Sequence, residues 1–293
     1  METAIKSNAG LLEGEKLYLE RARIALPILV RQAQAGQKIY YSDLAEEMEM
    51  PNPRNLNYVL GAIGNALQLI GEEWGEKIPP IQCLVLNRQT DLPGDGISWF
   101  IENKESFLNS PKQIKRQIVG EMLSEIFLYQ KWEEVLAFLE LEPLEMDFSA
   151  MIEKLRYYGG MGKGESESHR NFKEWVFNNP TSLNLDNKVI PVKMEYLFPS
   201  QDAIDIAFRS KDFFVGVEVK SKISNDSDIL RGVFQCIKYD ALIRAEQTLT
   251  KKPLSCRVIL ALEGSFPKFL IPIKNQLGVE VLDNVRMNIQ MKN

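Results

Sequence analysis

The sequence predicts two domains of different class. An α/β C-terminal domain, with an αβββαβ core and a mixed sheet, follows an α+β winged helix-turn-helix domain and a helical linker. Three observations predict this. After the stretch Gly159-Gly160-Met161-Gly162-Lys163-Gly164, apolar runs of helix and strand period follow in the order α-β-β-β-α-β. Before it, a short helical pattern, a proline-rich turn and a longer helical pattern stand in succession. The 293 residues are also enough for about two cores of roughly 100–150 residues each. The expected boundaries are 14–102 for the first domain, 103–158 for the linker and 159–293 for the last domain.

In the first domain Leu17, Ala22, Ile24, Leu26 and Leu29 predict a helix that runs to Gly36. Ile39-Tyr40-Tyr41 leads to Ser42 or Asp43 as N-cap of a short helix through Leu44, Ala45 and Met48. The turn Pro51-Asn52-Pro53 precedes a helix over 55–70, with Leu56, Val59, Leu60, Ile63 and Leu67 on one face. Short helix, tight turn and longer helix make a helix-turn-helix pattern. Strands expected at 81–86 and 97–101, joined through Asp91-Leu92-Pro93-Gly94-Asp95-Gly96, would form its wing. Residues 103–158 read as helical from Ile114, Ile118, Met122, Ile126, Leu128 and Trp132, and break at Pro143. In the last domain a helix over 165–177 stops at Asn178-Asn179-Pro180, and strands are expected at 189–197, 202–208 and 213–219. A helix over 226–247, a strand at 258–262, a short helix near 267–275 and a strand at 279–282 complete the order.

Composition narrows the function classes. Lys and Arg number 35 against 40 Asp and Glu, but residues 1–150 carry 14 basic and 23 acidic side chains and residues 151–293 carry 21 and 17. An acidic front half and a mildly basic back half suggest that the back half meets a polyanion. The three cysteines form no CxxC pair, which argues against a disulfide framework and a structural zinc site, and the single histidine excludes a His-rich metal site. No run reaches the ~18 apolar residues of a bilayer span, and residues 1–9 lack the pattern of a signal peptide. A cytoplasmic protein with no membrane partner is expected.

The strongest chemical signal is Ile204-Asp205-Ile206 followed by Val217-Glu218-Val219-Lys220. Alternate side chains share a strand face, so Glu218 and Lys220 point one way while Val217 and Val219 point into the core. A hairpin of this length brings Asp205 beside Glu218. Two carboxylates and an ammonium then converge at the end of a sheet, and hard oxygen ligands of this kind suit Mg²⁺. Taken alone, the same residues also describe a solvated face of an amphipathic hairpin.

With these elements in place, residues 159–293 resemble the PD-(D/E)xK nuclease superfamily, the restriction-endonuclease-like fold. That family has a metal-binding Asp at the end of its second strand and acid-x-Lys on its third, here Asp205, Glu218 and Lys220. Ile204 stands where the family name has proline. Relatives carry an acidic residue in the first helix, for which Glu165 and Glu167 compete. At ~100° per residue Glu165 shares a stripe with His169, Phe172 and Val176, whereas Glu167 points away, which favours Glu165. His169 beside it would be a metal ligand, an orienting group or a phosphate contact, with a structural histidine as the alternative. Gln235 and Tyr239 look like the Q-x-x-x-Y motif of exonuclease-like branches, which holds substrate or orders the lysine. Arg231, Lys238 and Arg244 on the same helix would meet phosphates. The resemblance implies phosphodiester hydrolysis with Mg²⁺, or Mn²⁺ in its place, held by Asp205, Glu218 and Glu165. Lys220 would orient or deprotonate the attacking water, or stabilise transition-state charge.

Residues 40–100 resemble the DNA-binding part of O6-alkylguanine-DNA alkyltransferases. The matching stretches are Tyr41-Ser42-Asp43-Leu44-Ala45, Leu60-Gly61-Ala62-Ile63-Gly64-Asn65-Ala66 and Ile78-Pro79-Pro80-Ile81-Gln82-Cys83. Cys83 falls where those proteins carry the alkyl acceptor, but Leu84-Val85 replace the following His-Arg, and Tyr58 replaces the Arg of the recognition helix. Cys83 is therefore expected to be an unactivated thiol. Asn52, Arg54, Asn55, Asn57 and Tyr58 would contact DNA, and dimerisation or packing is the other use of so acidic a domain. The expectation is a metal-dependent DNA endonuclease, in restriction or defence against foreign DNA. Its alternatives are a DNA-binding regulator with a non-catalytic nuclease-like domain and a structure-selective repair or junction nuclease. Homodimerisation and a partner protein are both compatible with the sequence.

Overall fold

The computed structural model describes residues 9–101, 104–145, 149, 166–185, 189–251 and 254–285. They fall into two compact units, Met1–Met146 and Asp147–Asn293. Among the described residues no helix is long and apolar enough to cross a membrane.

In the first unit α1 (Leu17–Gln34), α2 (Tyr41–Glu47) and α3 (Leu56–Trp74) appear where the periodicity predicts them. Asn52 caps the turn between α2 and α3 by accepting the Arg54 N–H at 3.0 Å, and α3 ends on Gly75 at φ 66°, the left-handed cap that glycine adopts without a steric penalty. Leu26 and Leu29 of α1 and Val59, Ile63 and Ile70 of α3 are fully buried in one core. The segment expected as a linker joins the same core. Helices α4 (Lys104–Asn109), α5 (Lys112–Leu128) and α6 (Trp132–Phe138) contribute Phe107, Val119, Ile126, Trp132, Val135 and Phe138 to it.

The expected wing is not formed by its two predicted strands. Ile81–Leu84 and Asp95–Phe100 are 3-10 turns, and the strand β2 (Val85–Leu86) pairs in parallel with β1 (Ile39–Tyr40). An isolated antiparallel bridge between Asn87 and Leu92 lies between those turns. The hydrogen bonds explain this: Val85–Leu86 takes β1 as its partner, while the Cys83 N–H donates to the Pro80 carbonyl and the Ile97 N–H to the Gly94 carbonyl, closing both segments as turns on themselves.

The second unit follows the predicted order closely: α7 (Glu167–Asn178), β3 (Ile190–Leu197), β4 (Ala203–Arg209), β5 (Phe213–Lys220), α8 (Asp226–Thr250), β6 (Ser255–Leu262), α9 (Ile271–Gln276) and β7 (Glu280–Leu282). The five-stranded mixed sheet runs β3-β4-β5-β6-β7, antiparallel from β3 to β5 and parallel from β5 to β7. α8 is the crossover that a parallel β5–β6 pair requires. β5 is central and covered on both faces. Val215, Val217 and Val219 pack with Phe172 and Val176 of α7, and Phe214 packs with Tyr239 and Ile243 of α8. Ser166 starts α7 by accepting the His169 N–H at 3.1 Å, and Asn225 starts α8 by accepting the Asp228 N–H at 3.0 Å.

Candidate active site

The β4–β5 ladder ends at the pair Ile206–Val217. Beyond that pair the Val219 N–H donates to Asp205 Oδ2 at 2.9 Å, so a carboxylate takes the place of a strand carbonyl where the pairing stops. This fixes Asp205 at the end of the sheet by a backbone contact that any residue at position 219 except proline would supply. Glu218 is 3% exposed, and its Oε1 accepts from Lys220 Nζ at 2.6 Å. Lys220 also donates to Gln235 Oε1 of α8 at 3.1 Å. Tyr239, one turn further along α8, donates to the Ala203 carbonyl at 2.7 Å, two residues before Asp205. Gln235 therefore orients the lysine, and the Tyr239 hydroxyl ties α8 to the root of β4.

α8 comes close to the sheet at Gly232. A Cβ there would lie 2.8 Å from Leu260 Cδ1 and 3.0 Å from Lys220 Cε. A side chain at this position would push on the ends of those two side chains, the lysine among them.

From α7, His169 Nε2 stands 3.7 Å from Asp205 Oδ1. His169 thus faces the site, as the helical stripe with Phe172 and Val176 predicts. Glu167 is exposed in the first turn of α7, away from Asp205, where its charge suits the helix dipole. Glu165 lies outside the described residues. Sequence reasoning missed Lys173: its Nζ is 2.8 Å from Glu195 Oε1 and 3.9 Å from Asp205 Oδ1, and the residue is buried.

The two carboxylates are driven apart in acidity. Burial pushes Glu218 up, the Asp205 charge adds to it, and the Lys220 ammonium opposes both, leaving it at about 7. Burial also acts to raise Asp205, but His169, the Val219 N–H and Lys220 outweigh it and hold that carboxyl below its ordinary value. Paired carboxylates with separated acidities are the arrangement that active sites use.

Among the described residues no group of three or more His, Cys, Asp and Glu side chains is arranged to hold a metal ion. The donor set of Asp205 and Glu218 nonetheless fits Mg²⁺, which is held by one or two carboxylates and completes its shell with water and phosphate oxygens. Burial first and the Asp205 charge second raise Glu218, and a divalent cation would relieve the second.

No family model matches the chain, and no curated protein matches it. Among solved structures it is similar to a repair endonuclease from Pyrococcus abyssi, at 19% identity and a TM-score of 0.31, over 42% of this chain and 49% of that one. It is also similar to a chain in the structure of an EndoMS–dsDNA2 complex, at 21% identity and a TM-score of 0.29, over 43% of this chain and 48% of the other. The chain spans about half the length of each.

The basic residues expected on α8 are each matched by an aspartate. Arg231 pairs with Asp228 at 3.1 Å, Arg244 with Asp240 at 2.6 Å, and Lys238 with Asp202. These pairs are exposed, so a phosphate would displace an aspartate at small cost.

In the first unit Arg54, Asn55, Asn57 and Tyr58 are exposed together around the start of α3. Cys83 is fully buried with Met122 Sδ at 4.0 Å, and burial pushes its thiol up to about 12, as expected of an unactivated cysteine. Beside it lies a cavity of about 350 Å³ lined by Tyr41, Asn57, Gln82, Gly94 and Phe100. Both polar atoms of the buried Gln82 amide lack a hydrogen-bond partner.

Proposed function

We propose that this chain is a nuclease that hydrolyses phosphodiester bonds in DNA with a divalent cation, Mg²⁺ or Mn²⁺, at the second unit. One observation carries the reading: Asp205, Glu218 and Lys220 converge where β4 and β5 part, with Glu218 buried at about 7 and the lysine aimed by Gln235. The Asp205 charge lies close enough to Glu218 to raise it, as two carboxylates sharing one site do. A bound Mg²⁺ would polarise a phosphoryl oxygen and supply a nucleophile at neutral pH. Asp205 and Glu218 would hold it, with Glu165 as a further candidate. The chain's own contribution is then positional. Val219 fixes Asp205, Gln235 fixes Lys220, and the Lys220 ammonium stands ready to orient water or to stabilise charge developing on the phosphoryl group.

Arg54, Asn55, Asn57 and Tyr58 of the first unit and Arg231, Lys238 and Arg244 of α8 are the proposed DNA contacts, the former set on a helix-turn-helix without the predicted wing. The described residues hold one such site, so cutting both strands of a duplex calls for a second copy of the chain or successive nicks. Cleavage of unbranched duplex would fit restriction or defence, and a preference for branched or mismatched DNA would fit repair.

The test is cleavage of plasmid, linear, branched and single-stranded DNA, and of RNA, with Mg²⁺ and with Mn²⁺. Wild type is expected to cut, and Asp205→Ala and Lys220→Met to lose about 10²–10³-fold while remaining folded. A wild type that shifts DNA in a gel and never cuts it would instead make the chain a DNA-binding regulator.

A further inference from the structure

Glu195 stands beside Asp205 on the neighbouring strand. Met194 pairs with Ile206 and Tyr196 with Ile204, which puts Glu195 opposite Asp205 across β3 and β4. Like charges directly opposite one another destabilise a sheet. Glu218 follows on β5 just beyond Ile206–Val217, the last pair of that ladder. The two sides are met by different lysines. On the β5 side Lys220 lies 2.6 Å from Glu218 and bonds Gln235. On the β3 side Lys173 lies between the two carboxylates, 2.8 Å from Glu195 and 3.9 Å from Asp205.

Two features show that this placement is built into the fold. The Lys173 side chain is only 6% exposed, and lysine is almost never buried this far without charge partners. Glu195, mid-strand, adopts φ 51°, the left-handed region that residues with a side chain rarely occupy. The backbone is thus held in an unfavourable conformation at the residue whose carboxylate meets the ammonium. An ammonium is a compact point charge with three donors, suited to the space between two carboxylates that a divalent ion would otherwise bridge.

We propose that Lys173 is the built-in second cation of this site: its ammonium fills the position between Glu195 and Asp205, so that each chain takes one divalent ion, at Asp205 and Glu218, and not two. This rests on the nuclease reading and narrows it. Lys173 acts through Asp205 and is a positioning residue. The assignment differs from a purely structural ion pair in what its removal does, since loss of a structural pair lowers stability and creates no ion site.

Mn²⁺ titration of the full chain, followed by calorimetry and by electron paramagnetic resonance, counts the ions directly. Wild type is expected to bind one Mn²⁺ per chain. Lys173→Met keeps the stem and removes the charge, and is expected to bind two. The double variant Lys173→Met/Glu195→Gln removes both members of the pair and is expected to return to one. Lys173→Gln serves in the same place if Lys173→Met does not melt cooperatively. Two ions in wild type, or one in a folded Lys173 variant, would overturn the inference and leave the nuclease reading standing. No Mn²⁺ bound by wild type, with no change in Asp205→Ala, would remove both.

Discussion

The first unit buries a thiol and the second buries a carboxylate, and the two groups are hidden to nearly the same degree. Cys83 is 0% exposed and Glu218 is 3% exposed. Around Cys83 nothing counters burial, and the thiol is pushed up to about 12. Around Glu218 burial and Asp205 act upward, Lys220 acts downward, and the group comes to rest at about 7. Depth is therefore not what separates an inert buried group from a functional one. The neighbours decide it: a cysteine with no base is chemically silent, and a carboxylate between a second carboxylate and an ammonium titrates where it can work. Gln82 extends the contrast. Its buried amide has no partner, whereas the amide of Gln235 orders Lys220.

The largest effect expected of any single change is on cleavage. Asp205→Ala removes the proposed cation ligand, and a cation there would supply several kcal/mol of charge stabilisation, about 10³-fold at ~1.4 kcal/mol per factor of ten. Lys220→Met should follow at about 10²–10³-fold. Cys83→Ala, in the other unit, should leave the cleavage rate unchanged. A cleavage defect in Cys83→Ala with an unaltered melting curve would erase the contrast between the two units.

Gly232→Ala sharpens the comparison from the packing side. Alanine is a better helix former than glycine by ~1 kcal/mol, so an exposed position would be stabilised. At Gly232 the new methyl meets Leu260 and the Lys220 stem, and cleavage is expected to fall about tenfold or more as the lysine is displaced. A more stable and fully active Gly232→Ala would show that α8 does not fix the lysine.

Stability against pH gives a smaller effect of defined sign. The carboxyl of Glu218 is raised from 4.5 to about 7 by burial and by Asp205, so its contribution is fully present below its unfolded value and is lost as pH rises through about 7. Asp205 is lowered, and its contribution is lost only in acid, as pH falls below its ordinary value of 3.8. The cation-free protein should therefore melt progressively lower between about pH 5 and about pH 8, and Glu218→Gln should flatten that slope. On the proposed mechanism cleavage should rise across the same range, because only the ionised carboxylate would hold a cation.

The smallest effect lies in the first unit. Gln82→Leu removes a buried donor and acceptor that have no partner and keeps much of the volume, and should raise the melting temperature through a gain of about 1 kcal/mol. Thermal melting of the variant beside wild type checks it, and destabilisation would mean that the amide is satisfied in solution.

Most of the second unit was legible in the sequence because its signals are local. Alternation in 204–206 and 217–220 acts within a few residues, as does the stop at Asn178-Asn179-Pro180, and the structure places every strand within three residues of its expected start. The Glu218–Lys220 contact spans two residues of one strand and was legible for the same reason. Lys173 was not. A lysine on an amphipathic helix reads as a solvated charge, and its burial depends on Glu195 and Asp205, two carboxylates delivered by other strands. The wing failed on the converse ground: apolar runs at 81–86 and 97–101 have strand composition, but a strand needs a partner, and Val85–Leu86 finds its partner in Ile39–Tyr40, far away in the sequence, which a run alone does not reveal. The helices over 104–138 were legible as helices, and their membership of the first core was not, because that rests on contacts to α1 and to the turn at 81–84, both distant in sequence, and to the turn at 95–100.

The most direct test of the central claim is the titration of Glu218 itself, by carboxyl carbon NMR on protein labelled in its glutamates and assigned with Glu218→Gln. The account predicts one glutamate titrating near 7 in cation-free protein and shifted well below that when Mg²⁺ is added, with the shift abolished in Asp205→Ala. A Glu218 that titrates near 4.5 and ignores Mg²⁺ would contradict it.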